Sequence, residues 1–189
     1  AFKALVDKQI DCKIKRIRSD CGGEYTSQEF EEYCKNEGIQ KELTASYTPQ
    51  QNGVVERKNR TIVEIARVML KEKDLPKKFW AEAVNTMVYI LNRCPTKVVK
   101  NMTPYEAWIR RKPSVSHLRI FGCICYAHVP SQKRIKLDDK SEKCIFVGYS
   151  SDAKAYKLYN VNTNKLVVSR DVIFHEMKKS QNKWEIKTQ

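Results

Sequence analysis

The spacing of apolar residues changes once along this chain of 189 residues, and that change limits the folds it can adopt. Up to about residue 112, apolar side chains recur at helical spacing, most clearly in the stretch from about Val54 to Lys73. Beyond Pro113 the period becomes two, which predicts short strands. The predicted strands are 120–128, 143–149, 155–160, 165–169 and 172–175. Such closely spaced short strands are typical of a small antiparallel barrel.

The part before this change combines helices with two short strands. One strand is predicted over Cys12–Arg18 and another over Ile39–Thr44. Between them, Thr26 and Glu29 have the spacing of a capping box, so a helix is predicted to begin there and to end at Gly38. The chain is therefore divided into an α/β domain at 1–112, a linker at 113–118, a small basic all-β module at 119–176 and a polar tail at 177–189.

The charge of the chain points to a polyanionic partner. There are 36 Lys and Arg residues against 22 Asp and Glu residues, a formal net charge of +14. The excess is concentrated at the end, because residues 111–189 contain 16 basic and 7 acidic residues. A basic surface that serves only solubility is the alternative.

Seven cysteines without a CxxC pair argue against a disulfide framework. They are interpreted as buried structural thiols of a protein in a reducing, intracellular compartment. No pair of histidines has zinc-finger spacing to a cysteine pair, so no zinc site is expected. No apolar run approaches the roughly 20 residues that span a bilayer, so no membrane partner is expected.

Two carboxylates stand at positions that favour chemistry. Asp20 follows the first predicted strand and precedes Gly22 and Gly23, which predict a tight turn. A carboxylate at the carboxyl end of a strand lies where α/β sheets usually meet ligands. Glu56 opens the long predicted helix, with 35 residues between it and Asp20. Spacing alone is weak evidence, since 22 acidic residues produce many such pairs by chance.

The local sequences carry more information than the spacing. Ile17–Tyr25 and Tyr47–Arg60 resemble the core of copia-type retrotransposon integrases, a branch of the DDE transferases with an RNase H-like fold. Later segments resemble the same family in the same order: Phe79–Ala83, Thr103–Glu106 (also a helix-start pattern), Phe121–Cys123, Lys136–Asp138 and Phe146–Tyr149. The resemblance implies an α/β, truncated RNase H-like integrase core followed by a small all-β SH3-like barrel.

The resemblance also implies a chemistry. In this family three carboxylates hold two Mg²⁺ (or Mn²⁺) ions, and Asp20 and Glu56 match the second and third, as catalytic and metal-binding residues. Two such ions activate a water or a 3′-OH and stabilise the leaving oxygen in 3′-end processing and strand transfer. The first Asp is expected upstream of Ala1, in a longer protein, so this chain alone is expected to be inactive.

One departure and two alternatives accompany this interpretation. Cys21 stands where the family usually has Asn, which puts a local hydrogen bond in doubt and indicates a decayed element. Glu24 is interpreted as a turn residue rather than a ligand. The alternatives to an integrase are a non-catalytic nucleic-acid-binding remnant and a nuclease of the same fold.

The resemblance implies DNA as the partner, both element ends and target, with a homo-oligomer in the complete integrase and the nucleus as its location. Polar and basic residues near Glu56 and in the β module are the candidate contacts. They are Gln51, Asn52, Arg57, Lys58, Asn59, Arg60, Lys133, Arg134 and Lys136. A solvated helix face is the alternative for those that follow Glu56. Tyr149, Tyr156 and Tyr159 are assigned to the core rather than to base stacking.

Overall fold

The computed structural model describes residues 2–44 and 53–176. The chain divides into two compact units, one formed by residues 1–61 and 96–112 and the other by residues 62–95 and 113–189. The predicted boundaries at 112 and 119 stay predictions. Within the described ranges, no helix is both long and apolar enough to cross a membrane.

The first unit is built around two short parallel strands. Helix α1 (Phe2–Ile10) precedes β1 (Arg16–Ser19), and β2 (Gln40–Leu43) pairs with β1 in parallel. Because Ser19 lies opposite Leu43, both strands end at the same edge. Helices α2 (Gly23–Thr26) and α3 (Gln28–Asn36) lie between the strands in sequence.

The start of α3 differs by one residue from the predicted capping box. The N-cap is Ser27, whose hydroxyl accepts a hydrogen bond from the Phe30 amide at 3.3 Å, and not Thr26. Thr26 instead ends the short helix α2, which the sequence pattern did not predict. Gly38, with φ of +66°, follows the end of α3 as expected.

Two further helices agree closely with the prediction. Helix α4 (Gly53–Glu72) runs from the first unit into the second, and its Ala66 is fully buried. Helix α6 (Pro104–Ile109) begins at the predicted cap, where the Thr103 hydroxyl accepts from the Glu106 amide at 3.1 Å. Between α4 and α6 a single 3₁₀ turn (Lys77–Phe79) leads into α5 (Trp80–Leu91).

The second unit contains five antiparallel strands, in the order β6-β5-β4-β3-β7. Their bounds are Ile124–His128 (β3), Ser141–Tyr149 (β4), Tyr156–Asn160 (β5), Lys165–Ser169 (β6) and Val172–His175 (β7). All five predicted strands are present. The first begins later than expected, because the Cys123 amide bonds back to the Ile120 carbonyl at 3.2 Å and closes a turn.

The central strands of this sheet bury apolar side chains on both faces, whereas Leu166, Val168 and Ile173 of the edge strands are exposed. On one face Ile145, Val147 and Tyr159 pack with Ala66 and Leu70 of α4, Phe79 of the 3₁₀ turn and Ala83 of α5. On the other face the core consists of Cys123, Cys125, Ala127, Cys144, Phe146 and Leu158, with Tyr149 and Tyr156 packed against it. The three tyrosines therefore belong to the core, as predicted. Helix α5 belongs to the same compact unit as the sheet and packs against it.

Helix α5 approaches β4 closely at a glycine. Gly148 has φ of +141° and lies at a register shift between β4 and β5. A Cβ built on Gly148 would lie 2.8 Å from Oγ1 of Thr86, a buried residue of α5. Only glycine satisfies both the backbone angle and the contact.

The seven cysteines are free thiols. Cys34, Cys123, Cys125 and Cys144 are buried, which confirms the structural interpretation for these four. The same interpretation is wrong for Cys12, which precedes β1, and for Cys21, which follows it, because both are exposed; Cys94 is only partly buried.

Candidate metal and nucleic-acid site

Asp20 is exposed immediately after β1, at the edge where both parallel strands end. Its Oδ1 accepts a hydrogen bond from the Gly22 amide at 3.2 Å, which fixes the turn into α2. Gly22 has φ of −55°, so this turn does not need the left-handed backbone of glycine. A Cβ on Gly22 would instead lie 2.8 Å from Oε2 of Glu24, whose carboxylate folds back towards the turn.

Cys21 supplies a hydrogen bond at the position where the resemblance had put one in doubt. Its Sγ donates to the Thr44 carbonyl at 3.2 Å. The Thr44 amide donates to the Ser19 carbonyl at 3.0 Å. The thiol is a weak donor, yet together these bonds connect the end of β1 to the residue after β2. The backbone that carries Asp20 is therefore held from both sides.

Glu56 lies in the first turn of α4 and is exposed. A carboxylate there is favoured by the partial positive charge of a helix N-terminus. Asn59 and Arg60, three and four residues on, share its face of the helix. Arg57 and Lys58 are also exposed. The candidate contacts Gln51 and Asn52 lie outside the described residues.

The donor chemistry at these two positions fits Mg²⁺, which takes hard oxygen ligands. Neither carboxylate forms an ion pair with a described residue. Within residues 2–44 and 53–176, however, no group of three or more His, Cys, Asp or Glu side chains is placed to hold a metal ion. Asp20 and Glu56 therefore account for part of a ligand set.

The basic residues predicted in the β module lie on the segment between β3 and β4. Lys133 ends a 3₁₀ turn (Ser131–Lys133), and Lys136 is exposed. Arg134 is half-buried, and its Nε donates to the Val129 carbonyl at 3.3 Å. Sequence reasoning missed Ile135 and Leu137 on the same segment, since two isolated aliphatic residues carry no periodic signal. Both are highly exposed.

A polar aromatic cluster fixes the segment before β3 to α5. The Tyr89 hydroxyl lies 2.7 Å from Nε2 of His117, and the Tyr89 ring stacks on Tyr149 at 4.2 Å between centroids. Burial, then the charges of Arg93 and Arg119, lower the pKa of His117. Burial raises the pKa of Tyr149 to about 12. These groups are neutral and structural at physiological pH.

Comparison with known proteins identifies relatives for almost the whole chain. A family model described as a retroviral polymerase SH3-like domain matches residues 123–187. The chain is 51% identical over 175 residues to the retrovirus-related Pol polyprotein from transposon TNT 1-94 of Nicotiana tabacum, a match covering 93% of this chain and 13% of the relative. It is 37% identical over 175 residues to the Pol polyprotein from transposon RE1 of Arabidopsis thaliana, covering 93% of this chain and 12% of the relative.

Two solved structures are also similar. The catalytic core domain of BIV integrase is 28% identical, with 51% of this chain and 60% of that chain covered and a TM-score of 0.39. The HTLV-2 integrase catalytic core domain in complex with magnesium (trimeric form) is 23% identical, with 56% and 64% covered and a TM-score of 0.41.

The sequence relatives point to one class: over 93% of its length the chain is similar to retrovirus-related Pol polyproteins, and residues 123–187 match a retroviral polymerase SH3-like domain. Within that class its relatives are the polyproteins of copia-type transposons, which confirms the resemblance found in the sequence. The chain spans about an eighth of the length of the curated relatives it matches. The predicted α/β class, followed by an all-β SH3-like module, is also confirmed.

Proposed function

We propose that this chain is integrase sequence of a copia-type Pol polyprotein and takes part in joining element DNA to target DNA. The observation that most supports this proposal is the presence of two exposed carboxylates, Asp20 after β1 and Glu56 in the first turn of α4. Identity of 51% over 93% of the chain to a transposon Pol polyprotein supports the same assignment.

In this proposal Asp20 and Glu56 are two of the three carboxylates that bind Mg²⁺ or Mn²⁺. When bound, such ions activate the attacking oxygen and stabilise the leaving 3′-oxygen of a phosphodiester. The Gly22 amide orients the Asp20 carboxylate through its hydrogen bond to Oδ1. The helix N-terminus stabilises the charge of Glu56. A third carboxylate, beyond the described residues, completes the set.

The exposed basic residues of α4 and of the β module are proposed to bind DNA phosphates. Arg60 shares a helix face with Glu56, so a phosphate held by its guanidinium would lie near the carboxylate. Arg57, Lys58, Lys133, Arg134 and Lys136 supply further positive charge. The HTLV-2 integrase core was solved in complex with magnesium and in a trimeric form. For this chain, use of a divalent metal, oligomerisation and a nuclear location are proposals.

The test places this chain in the tobacco transposon Pol polyprotein, in exchange for the 175-residue segment that it matches. Integration of a marked element is then counted by sequencing the junctions. Asp20→Asn and Glu56→Gln each remove a charge and keep the shape of the side chain, and each should lower integration at least roughly a hundredfold. Glu24→Gln is the matched control, since Glu24 is an exposed carboxylate four residues from Asp20.

A second measurement uses the chain alone. Mn²⁺ titration followed by electron paramagnetic resonance should show weaker binding in Asp20→Asn and Glu56→Gln than in Glu24→Gln. Integration that is equal in Asp20→Asn and Glu24→Gln contradicts the proposal. Cleaved DNA without joined ends would instead favour the nuclease alternative.

A further inference from the structure

The segment between β3 and β4 presents apolar side chains to solvent in an ordered loop. The base of this loop, residues 130–139, is closed by the Val129 amide, which donates to the Lys140 carbonyl at 3.0 Å. Leu137 is 95% exposed and Ile135 is 72% exposed. Leu137 is thus almost as accessible as in an extended chain, and it is more exposed than Leu166, Val168 and Ile173 of the sheet, at 55%, 55% and 67%.

The tip of the loop is held by one acidic residue. The Asp138 amide donates to the Ile135 carbonyl at 3.1 Å, so Lys136 and Leu137 are the central residues of a β-turn. The Asp138 Oδ2 accepts from the Ile135 amide at 2.8 Å. Both bonds fix the turn, and the second engages the Asp138 carboxylate, whereas the neighbouring Asp139 is exposed. Little conformational entropy is left to lose when the tip contacts a partner.

Positive charge flanks the apolar tip on its N-terminal side. Lys133 and Lys136 are exposed, and Arg134 is tied at Nε to the Val129 carbonyl. Lys140 is exposed at the base of the loop. An aliphatic side chain between cations matches the way in which minor-groove binding proteins insert a wedge between base steps while Lys and Arg hold phosphates.

We propose that loop 130–139 is a DNA wedge: Leu137, with Ile135 beside it, inserts into the minor groove and bends the duplex, and Lys133 and Lys136 bind the flanking phosphates. This inference rests on the proposed DNA function, and it adds that the bound DNA duplex is bent. A membrane surface fits less well, because membrane-binding segments combine cations with a wide apolar face and aromatic residues. The net charge of +14 favours a polyanion over an acidic protein patch.

The test uses the full chain and a duplex of about 30 base pairs with a donor and an acceptor fluorophore at its ends. Anisotropy measures affinity, and energy transfer between the ends measures bending. Leu137→Ser should weaken binding about threefold to tenfold and abolish the gain in energy transfer, because the inserted side chain loses its apolar contact. The slope of affinity against salt should not change, since no phosphate contact is lost.

Two control variants separate the wedge from other effects. Leu166→Ser makes the same change on edge strand β6, where Leu166 is 55% exposed, and should leave both readouts at wild-type values. Lys136→Gln should lower the salt slope by about one, as expected for one phosphate contact. Binding and bending by Leu137→Ser equal to those of Leu166→Ser would overturn the wedge and leave the DNA function in place.

Two further outcomes reach beyond the wedge. If the wild-type chain does not bind the duplex, the proposed DNA contact of the module fails together with the wedge. Co-sedimentation with vesicles of phosphatidylserine and phosphatidylcholine tests whether the loop binds a membrane instead. Leu137-dependent binding to these vesicles, with DNA binding indifferent to Leu137→Ser, would identify a membrane contact and overturn the proposal.

Discussion

Replacement of Gly148 by alanine should strongly destabilise the second unit. The residue has φ of +141°, a region that residues with a Cβ rarely adopt and that costs about 1–3 kcal/mol. The added Cβ would also lie 2.8 Å from Thr86 Oγ1. Thr86 is 2% exposed and β-branched, so its side chain has little freedom to move away. Overpacking of this kind costs about 1–3 kcal/mol.

The two contributions together give a loss of about 2–6 kcal/mol in the free energy of unfolding. This is a large part of the roughly 5–15 kcal/mol that stabilises a typical domain. Urea titration followed by circular dichroism measures the loss. Gly23→Ala is the glycine control, since nothing lies within 4 Å of its added Cβ, and it should change the free energy of unfolding by less than about 1 kcal/mol.

A double variant divides the loss between backbone strain and collision. Thr86→Ala removes Oγ1, so the collision part of the Gly148→Ala penalty should disappear in the double variant, whereas the strain part should remain. A coupling free energy of at least about 1 kcal/mol is expected between the two positions. A Gly148→Ala protein that unfolds within about 0.5 kcal/mol of wild type would refute the reasoning.

The remaining predictions concern a histidine, two helix caps and the thiols. Because the pKa of His117 is lowered from 6.5 in the folded state, the unfolded chain binds more protons below that pH, and the free energy of unfolding should decrease as pH falls. Urea titrations across pH 5–7 test this; equal pH slopes for wild type and His117→Gln would contradict it. Ser27→Ala and Thr103→Ala should each cost about 1 kcal/mol in the same titration, and no loss would mean that the caps are dispensable. Burial raises the pKa of the Cys125 thiol, so Ellman's reagent should label exposed Cys12 in native protein and Cys125 only on unfolding; equal labelling rates would refute the buried core.

Periodicity predicted the elements of this fold well and their partners poorly. The five strands followed from alternation, and β6 and β7 have the predicted bounds, because apolar residues that face a core must alternate. For α5, a periodic pattern of apolar residues does not say which surface covers its apolar face. Its packing on Ile145 and Val147 became visible only in three dimensions.

The candidate site also has features that the sequence predicted and features that it did not. Asp20 lies after a strand and Glu56 in the first turn of a helix, where the sequence placed them, because turn and helix-start signals are local. The cap at Ser27 in place of Thr26 shows the limit of such signals, since neighbouring hydroxyls offer the same hydrogen bond. The exposure of Leu137 depends on a turn held by Asp138, and residue type alone gives no sign of it.

The apolar face that the β-sheet shares with α4 and α5 limits which coding segments related transposons can exchange by recombination. A recombination event that transferred only the SH3-like segment would leave Ile145, Val147 and Tyr159 without the helix that covers them. The helix of the recipient protein that then covered the sheet would also need a residue that fits the narrow space at Gly148, where Thr86 lies in this chain. Crossovers within residues 95–113 should therefore be selected against, and the segments on either side of that stretch should be inherited together.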